Sequence, residues 1–157
     1  MEGEATMPIV IRRATPADVP VIVEFNCRLA DETENKVLDP EVVTRGVGAT
    51  FSDPHKGPYF VADEGGQLLG QLQITFEWSD WRNGWMWWIQ GVYVRAEARR
   101  RGVFRALYDH VYQAARADPE VIALRLYVER DNRRAQETYA RLGMTQTGYL
   151  LFERYPL

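Results

Sequence analysis

A single cysteine, Cys27, occurs in the 157 residues, so no disulfide can form within the chain and no cysteine cluster can hold a metal. The two histidines, His55 and His110, lie far apart with no ligand spacing around them, and no metal is expected. No apolar run approaches the ~20 residues of a membrane span; the longest aromatic block is Trp85-Met86-Trp87-Trp88-Ile89. The opening Met1-Glu2-Gly3-Glu4 is acidic, unlike the basic-then-apolar start of a signal peptide. These absences make the cytoplasm the expected location, with no membrane partner. Lysine is scarce as well, with Lys36 and Lys56 set against seventeen arginines. The net charge of −3 counts against a nucleic-acid-binding surface, so no nucleic-acid partner is expected. What is present is a core-forming composition, 46% hydrophobic and 12% aromatic, which excludes wholesale disorder. A chain of this size buries roughly two-thirds of its surface on folding and needs no disulfide or metal staple.

The basic residues are clustered. Arg95, Arg99, Arg100, Arg101 and Arg105 fall within eleven residues, with Glu97 the one acid among them. A basic island in an acidic chain fits either a local anion site or a solvated arginine-rich loop, and charge alone does not separate the two.

The punctuation of the chain gives an element order. Residues 1–7 read as a flexible tail and 8–157 as a single domain, with no composition break or repeat. Ile9-Val10-Ile11 opens a strand. Thr15-Pro16-Ala17-Asp18 starts a helix, with Thr15 as N-cap, and Val19, Ile22, Val23, Phe25 and Leu29 follow at helical spacing. Asp39-Pro40-Glu41 starts a second helix that ends near Gly46 or Gly48. After the Pro/Gly loop of residues 52–58, Tyr59 to Ala62 and Gln67 to about Glu77 form a hairpin around Gly65-Gly66. Trp85 to Val94 is a long strand, with Trp85 and Trp87 on one face and Met86 and Trp88 on the other. Gly102 to Ala117 is an amphipathic helix stopped by Asp118-Pro119. Val121 to Val128 is a buried strand, and Asn132 to Leu142 is a helix with Gly143 past its end. Residues 144–154 are expected to form a final strand pair or one bent strand. Cys27, between apolar neighbours, is expected to be buried, and Asp80 to form a turn.

The segment from Gln90 to Leu107 carries the chemistry: strand, basic loop, glycine, helix. A helix N-terminus offers free N–H groups and partial positive charge, a glycine admits close approach, and arginines add charge-assisted hydrogen bonds. The pattern points to a phosphate or diphosphate ligand, without the Gly-Lys-Ser/Thr of a Walker loop or a three-glycine dinucleotide fingerprint. Arg99-x-x-Gly102-x-Phe104, after Val92-Tyr93-Val94, resembles the acetyl-CoA motif of the GNAT N-acetyltransferases, Gln/Arg-x-x-Gly-x-Gly/Ala, with Phe104 standing where a small residue is usual. Asn132-x-x-Ala135-x-x-x-Tyr139-x-x-Leu142-Gly143-Met144 resembles the second cofactor motif of that family. Trp81-Arg82-Asn83-Gly84 before Ile89-Gln90-Gly91-Val92-Tyr93-Val94, together with Leu29-Ala30-Asp31-Glu32, is similar to the spermidine/spermine and thialysine N-acetyltransferase branch.

The resemblance implies an α/β (α+β mixed-sheet) GNAT fold, a six- to seven-stranded twisted mixed sheet flanked by about four helices. It implies an acyltransferase that moves an acetyl group from acetyl-CoA to a primary amine of a small molecule, acting as a homodimer. Backbone groups of Val92, Tyr93 and Val94 would line the pantetheine arm. Arg99, Arg100, Arg101, Gly102, Val103, Phe104 and Arg105 would hold the diphosphate. Asn132 and Ala135 would complete the cofactor site, and Tyr139 would protonate the departing thiolate, a phenol and a thiol being matched in acidity. In the polyamine branch a glutamate stands where this chain has Gln90, and an amide cannot take the ammonium proton. Gln90 would bind substrate or a water, with Glu77 as the base, or alternatively Asp31, Glu32, Glu34 or solvent. Glu32, Trp78 and Gln90 would bind the amine, the tryptophan by cation–π contact. Two other readings are a non-catalytic acyl-CoA-binding module of the same fold and, less compatible with the acidic charge, a nucleic-acid-binding domain.

Overall fold

The computed structural model describes residues 7–157. It comprises one unit running to Leu126 and a second, Tyr127–Leu157. The expected tail therefore lies outside the described residues, apart from Met7.

The first unit is an open sheet in the order β1-β2-β3-β4-β5. The strands are β1 (Ile9–Arg13), β2 (Tyr59–Glu64), β3 (Gln67–Ser79), β4 (Gly84–Val94) and β5 (Val121–Leu126). The first four are antiparallel neighbours, and β5 joins β4 in parallel. That parallel pair requires a crossover, which is α3 (Val103–Ala117). Helices α1 (Val19–Glu34) and α2 (Pro40–Ser52) connect β1 to β2. Pro16–Asp18 forms a short 3-10 turn before α1 rather than its first turn. Asp39 caps α2 as expected, its carboxylate accepting from the Glu41 N–H at 2.9 Å.

Alternation along the strands assigns the two faces. Tyr59, Val61 and Tyr93 pack with Ile22, Phe25 and Val47 beneath α1 and α2. Phe60, between Tyr59 and Val61, points the other way and lies 5.5 Å from the His110 ring on α3. The helix buries Val103, Leu107 and Val111 on that second face, each worth roughly 1.5–3 kcal/mol of apolar burial. At the start of α1, Arg12 donates to both oxygens of Asp18 at 2.8 and 3.0 Å, and to Asp63 at 3.0 Å. The Arg12 guanidinium holds the Asp18 carboxyl below the usual carboxylate range, against the opposing effect of burial. Cys27, expected to be buried, is only half-buried.

The second unit contains α4 (Arg133–Arg141). Asn132 caps it, its Oδ1 accepting from the Ala135 N–H at 3.1 Å, and Gly143 ends it at φ +86°. Two expectations are corrected. The last strand of the first unit stops at Leu126 rather than Val128, and residues 144–157 carry no strand. Among the described residues the sheet accordingly has five strands, not six or seven. A strand exists only where its N–H and C=O groups find a partner strand, and residues 127–157 contain one helix and no sheet. Among the described residues no helix is long and apolar enough to cross a membrane.

Candidate functional site

The strands β4 and β5 differ in length, and the difference leaves an open edge on β4 that is the candidate site. Their pairing runs from Trp85↔Val121 to Ile89↔Leu126 and ends there. On its other edge β4 stays paired with β3 as far as Gly70↔Val94. Within this unit, the backbone groups of residues 90–94 that face away from β3 have no strand partner. The register also slips in this stretch. Gln73 pairs with Gln90 and Gln71 with Tyr93, so Gly91 and Val92 together oppose Leu72. This is a β-bulge, and Gly91 occupies it at φ +59°, a backbone region that a side chain would strain. Val92 and Val94 thus stand on an open strand edge, while Tyr93 turns its ring inward against Phe25 at 5.1 Å.

Beyond Val94 a 3-10 turn, Ala96–Ala98, leads into the loop before α3. Arg100 (φ +67°) and Gly102 (φ +77°) both take the left-handed conformation. Gly102 is the N-cap of α3 and supplies no side-chain cap. The first helical bond runs from the Ala106 N–H to the Gly102 carbonyl at 3.0 Å. The N–H groups of Gly102, Val103 and Arg105 have no protein acceptor among the described residues. A Cβ placed on Gly102 would meet nothing within 4 Å, so the outside of the turn is open. Orphan donors at the positive end of a 15-residue helix are suited to a diphosphate.

The arginines are less available than their spacing suggests. Arg95 lies over the Phe25 ring at 4.8 Å and donates to the Leu68 carbonyl at 2.8 Å and to Glu24 at 3.2 Å. Arg99 bonds Glu32 at 2.5 Å and the Val94 carbonyl at 3.1 Å. Arg101 is paired with Glu64 and Arg105 with Asp109. Arg100 alone among the five loop and helix arginines of this run makes no ion pair among the described residues. Val103 is buried, so only its backbone can meet a ligand. Phe104 lies on the helix flank with its ring 6.2 Å from that of Tyr108.

A polar row lies on the α1 side of β3 and β4. Gln90 Nε2 donates to Thr75 Oγ1 at 2.6 Å. Trp88 Nε1 and Arg125 donate to the same oxygen of Glu77, Oε1, at 2.9 and 3.4 Å. Glu77 Oε2 makes no hydrogen bond among the described residues. Glu77 and Gln90 make no hydrogen bond to each other among the described residues: the backbone of the Gln73–Gln90 pair lies four residues along β3 from Glu77, about 13 Å at strand rise, with Thr75, which Gln90 bonds, between them. Glu32, at the end of α1, is occupied by Arg99 and by the Tyr93 hydroxyl, which donates to it at 3.1 Å. Burial, with Glu32 second, raises the Tyr93 phenol above its ordinary value. Trp78 lies on the opposite face from Gln90, edge-on to Trp85 at 5.1 Å, whose ring also meets Phe76 edge-on at 6.4 Å. The expected alternation of the tryptophans therefore holds, and it separates Trp78 from the other two amine-site candidates.

Asn132, Ala135 and Tyr139 belong to the second unit. Burial raises the Tyr139 phenol above its ordinary value. Among the described residues no group of three or more His, Cys, Asp or Glu could hold a metal. Sequence reasoning missed Thr75, the partner of Gln90, and the buried Gln71. The available signal was the polar alternation Gln71, Gln73, Thr75 inside an apolar strand.

Residues 24–144 match the model of the Acetyltransferase (GNAT) family. The chain is similar to a possible acetyltransferase from Clostridium difficile 630, at 42% identity and a TM-score of 0.90, over 95% of this chain and 98% of that one. It is similar to an integron cassette protein from the mobile metagenome of Cole Harbour Salt Marsh, at 25% identity and a TM-score of 0.78, over 92% and 88% of the two chains. It shares its fold with a predicted acetyltransferase from Clostridium acetobutylicum solved with acetyl-CoA, at 20% identity and a TM-score of 0.75, over 94% and 96%. No curated protein matches the chain.

Proposed function

From the premise that the chain belongs to the GNAT family of acetyltransferases, we propose that it is an acetyl-CoA-dependent N-acetyltransferase acting on a primary amine of a small molecule. The observation that carries this reading is the open edge of β4 beyond Ile89, set in sequence just before a helix N-terminus with orphan N–H groups. These groups fit two successive parts of coenzyme A: an edge for the pantetheine amides, then donors for the diphosphate. When bound, acetyl-CoA supplies an acetyl group already activated as a thioester.

The chain's own residues do the rest. Backbone groups of Val92 and Val94 hold the pantetheine amides as a neighbouring strand would. The N–H groups at Gly102, Val103 and Arg105, with Arg99, Arg100 and Arg101, bind the diphosphate. Asn132 keeps its Nδ2 for the arm while its Oδ1 caps α4. Tyr139 Oη gives its proton to the leaving sulfur. Gln90, fixed by Thr75, orients the amine or a water. Glu77 Oε2 accepts the ammonium proton through water, given its distance from Gln90. Glu32 and Trp78 bind the remainder of the amine, Glu32 by charge and Trp78 only for an acceptor long enough to pass the sheet edge.

The Trp81-Arg82-Asn83-Gly84 turn supports the spermidine/spermine and thialysine branch, and residues 8–157 form one catalytic domain in this reading. Exposed Phe76, Trp78, Trp81 and Trp85 at the hairpin end, with exposed Leu150, Leu151 and Phe152 near the C-terminus, support a homodimer, because large exposed apolar patches mark interfaces. The cytoplasm is the proposed location. The test is amine-dependent release of free thiol from acetyl-CoA across polyamines, amino acids, aminoglycosides and peptide amines, with the acetylated product identified by mass spectrometry. Acetylation of a small primary amine is expected. Tight coenzyme A binding with no amine turned over would instead favour the acyl-CoA-binding module, a reading that Gln90 supports because an amide bonded to Thr75 is not a base.

A further inference from the structure

The fully buried Gln71 side chain is polar in a strand whose neighbours Leu69, Leu72 and Ile74 are apolar and buried. Its Nε2 donates to the Gly91 carbonyl at 3.0 Å and to Asn26 Oδ1 at 2.8 Å. Asn26 Nδ2 in turn donates to the Tyr59 hydroxyl at 3.2 Å. The Gly91 carbonyl can only accept, so the amide nitrogen must face it and the orientation of Gln71 is determined. Its Oε1 is left buried with no hydrogen-bond partner among the described residues. An orphan buried acceptor is costly, and an apolar residue would avoid it. Such a residue persists where its other bonds do something a hydrocarbon cannot.

What those bonds hold is the bulge. Gly91 is the residue at φ +59° in the stretch where β4 has lost β5, and a Cβ there would lie 3.7 Å from Asn26 and 3.8 Å from Gln71. With Gly91 and Val92 opposing Leu72, the ladder to β3 is interrupted. The Gly91 carbonyl is taken up by a side chain instead, and through Asn26 that side chain is tied to α1. We infer that Gln71 is a positioning residue: it clamps the Gly91 carbonyl and so sets the direction in which the open Val92–Val94 edge presents its backbone groups. The inference rests on the proposed function for what that edge binds, and on geometry alone for the clamp.

The experiment follows amide hydrogen exchange by NMR in the whole protein, with free coenzyme A as the probe, alongside acetyl-transfer kinetics. In the wild type the Gln71 side-chain amide should exchange at least tenfold more slowly than exposed glutamine amides; equal exchange would overturn the clamp without any variant being made. In Gln71→Met, residues 91–94 should exchange at least tenfold faster while β2 and the α3 amides stay within twofold. The kcat for acetyl transfer should fall at least tenfold, by a larger factor than the KM for acetyl-CoA rises, because the pantetheine edge is displaced while the diphosphate donors are untouched. A folded Gln71→Met with unchanged exchange at 91–94, or with unchanged kcat, would overturn the inference. A wild type that binds no coenzyme A while the exchange pattern holds would overturn the proposed function and leave the clamp standing.

Discussion

Replacing Gly102 by aspartate tests where the diphosphate sits. The position is solvent-facing, and a Cβ there meets nothing within 4 Å, so the variant does not clash. Its backbone is at φ +77°, and a non-glycine residue in that conformation costs about 1 kcal/mol. The electrostatic cost to the ligand is larger. A carboxylate 4–5 Å from one phosphate charge, at an effective dielectric near 20, is opposed by about 3–4 kcal/mol. Counter-ions at physiological salt reduce that by roughly half in so exposed a loop, leaving an affinity loss on the order of 20-fold for one phosphate and 10²–10³-fold for both. Gly102→Ala carries the backbone strain without the charge and should lose less than about tenfold. Titration calorimetry with coenzyme A, at low salt and again at high salt, measures both. The gap between Asp and Ala should narrow as salt rises. A folded Gly102→Asp protein that binds coenzyme A within threefold of wild type would place the diphosphate elsewhere.

Tyr139→Phe should lower kcat roughly 10²-fold with little change in acetyl-CoA affinity, as expected for loss of a general acid; full activity would remove Tyr139 from that role. Gln90→Glu exchanges the donor to Thr75 for an acceptor, which the Thr75 hydroxyl can satisfy by rotating to donate; the rate with a basic amine should rise or its pH profile move toward neutrality, and an unchanged profile would leave the proton to Glu77. Arg12→Met should cost roughly 2 kcal/mol in urea unfolding near neutral pH, since Asp18 is left with little beyond the Thr15 N–H. Because Asp18 has a depressed folded pKa, its stabilisation is present above the unfolded value near 4 and is lost as pH falls below it, so wild type and variant should converge in acid. Light scattering at micromolar concentration should give the mass of a dimer, and a monomer would dismiss the aromatic hairpin end as an interface.

Local chemistry was readable in the sequence at several element boundaries, although α2 runs through Gly46 and Gly48, where its end was expected, to Ser52. Asp39, Asn132 and Gly143 mark helix ends in the chain and in the structure, and the strand–loop–Gly102–helix order read in the chain is the order of the elements found. What stayed hidden depends on distant partners. Arg99, Arg101 and Arg95 find their acids at Glu32, Glu64 and Glu24, tens of residues away, so a window around the loop shows Glu97 and misses all three. The bulge is equally invisible, because a register slip is a property of two strands. Residues 144–154 have strand-like side chains, yet pairing is not encoded in one segment alone.

The pairing of the loop arginines has a kinetic meaning. Arg99, Arg101 and Arg105 each carry a carboxylate at contact distance, so their fields largely cancel a few ångströms away. An anion approaching from solution feels little long-range pull, and diffusional steering of the kind that raises on-rates 10–10³-fold is weak here. In the proposed site, selection would happen at contact, where a ligand must offer oxygens to fixed N–H groups and displace carboxylates from guanidiniums. A polyanion that merely carries charge gains little from such a surface, whereas a compact diphosphate of the right shape gains much. Association with coenzyme A should accordingly vary little with ionic strength at the encounter stage, in a loop whose composition alone suggests the opposite.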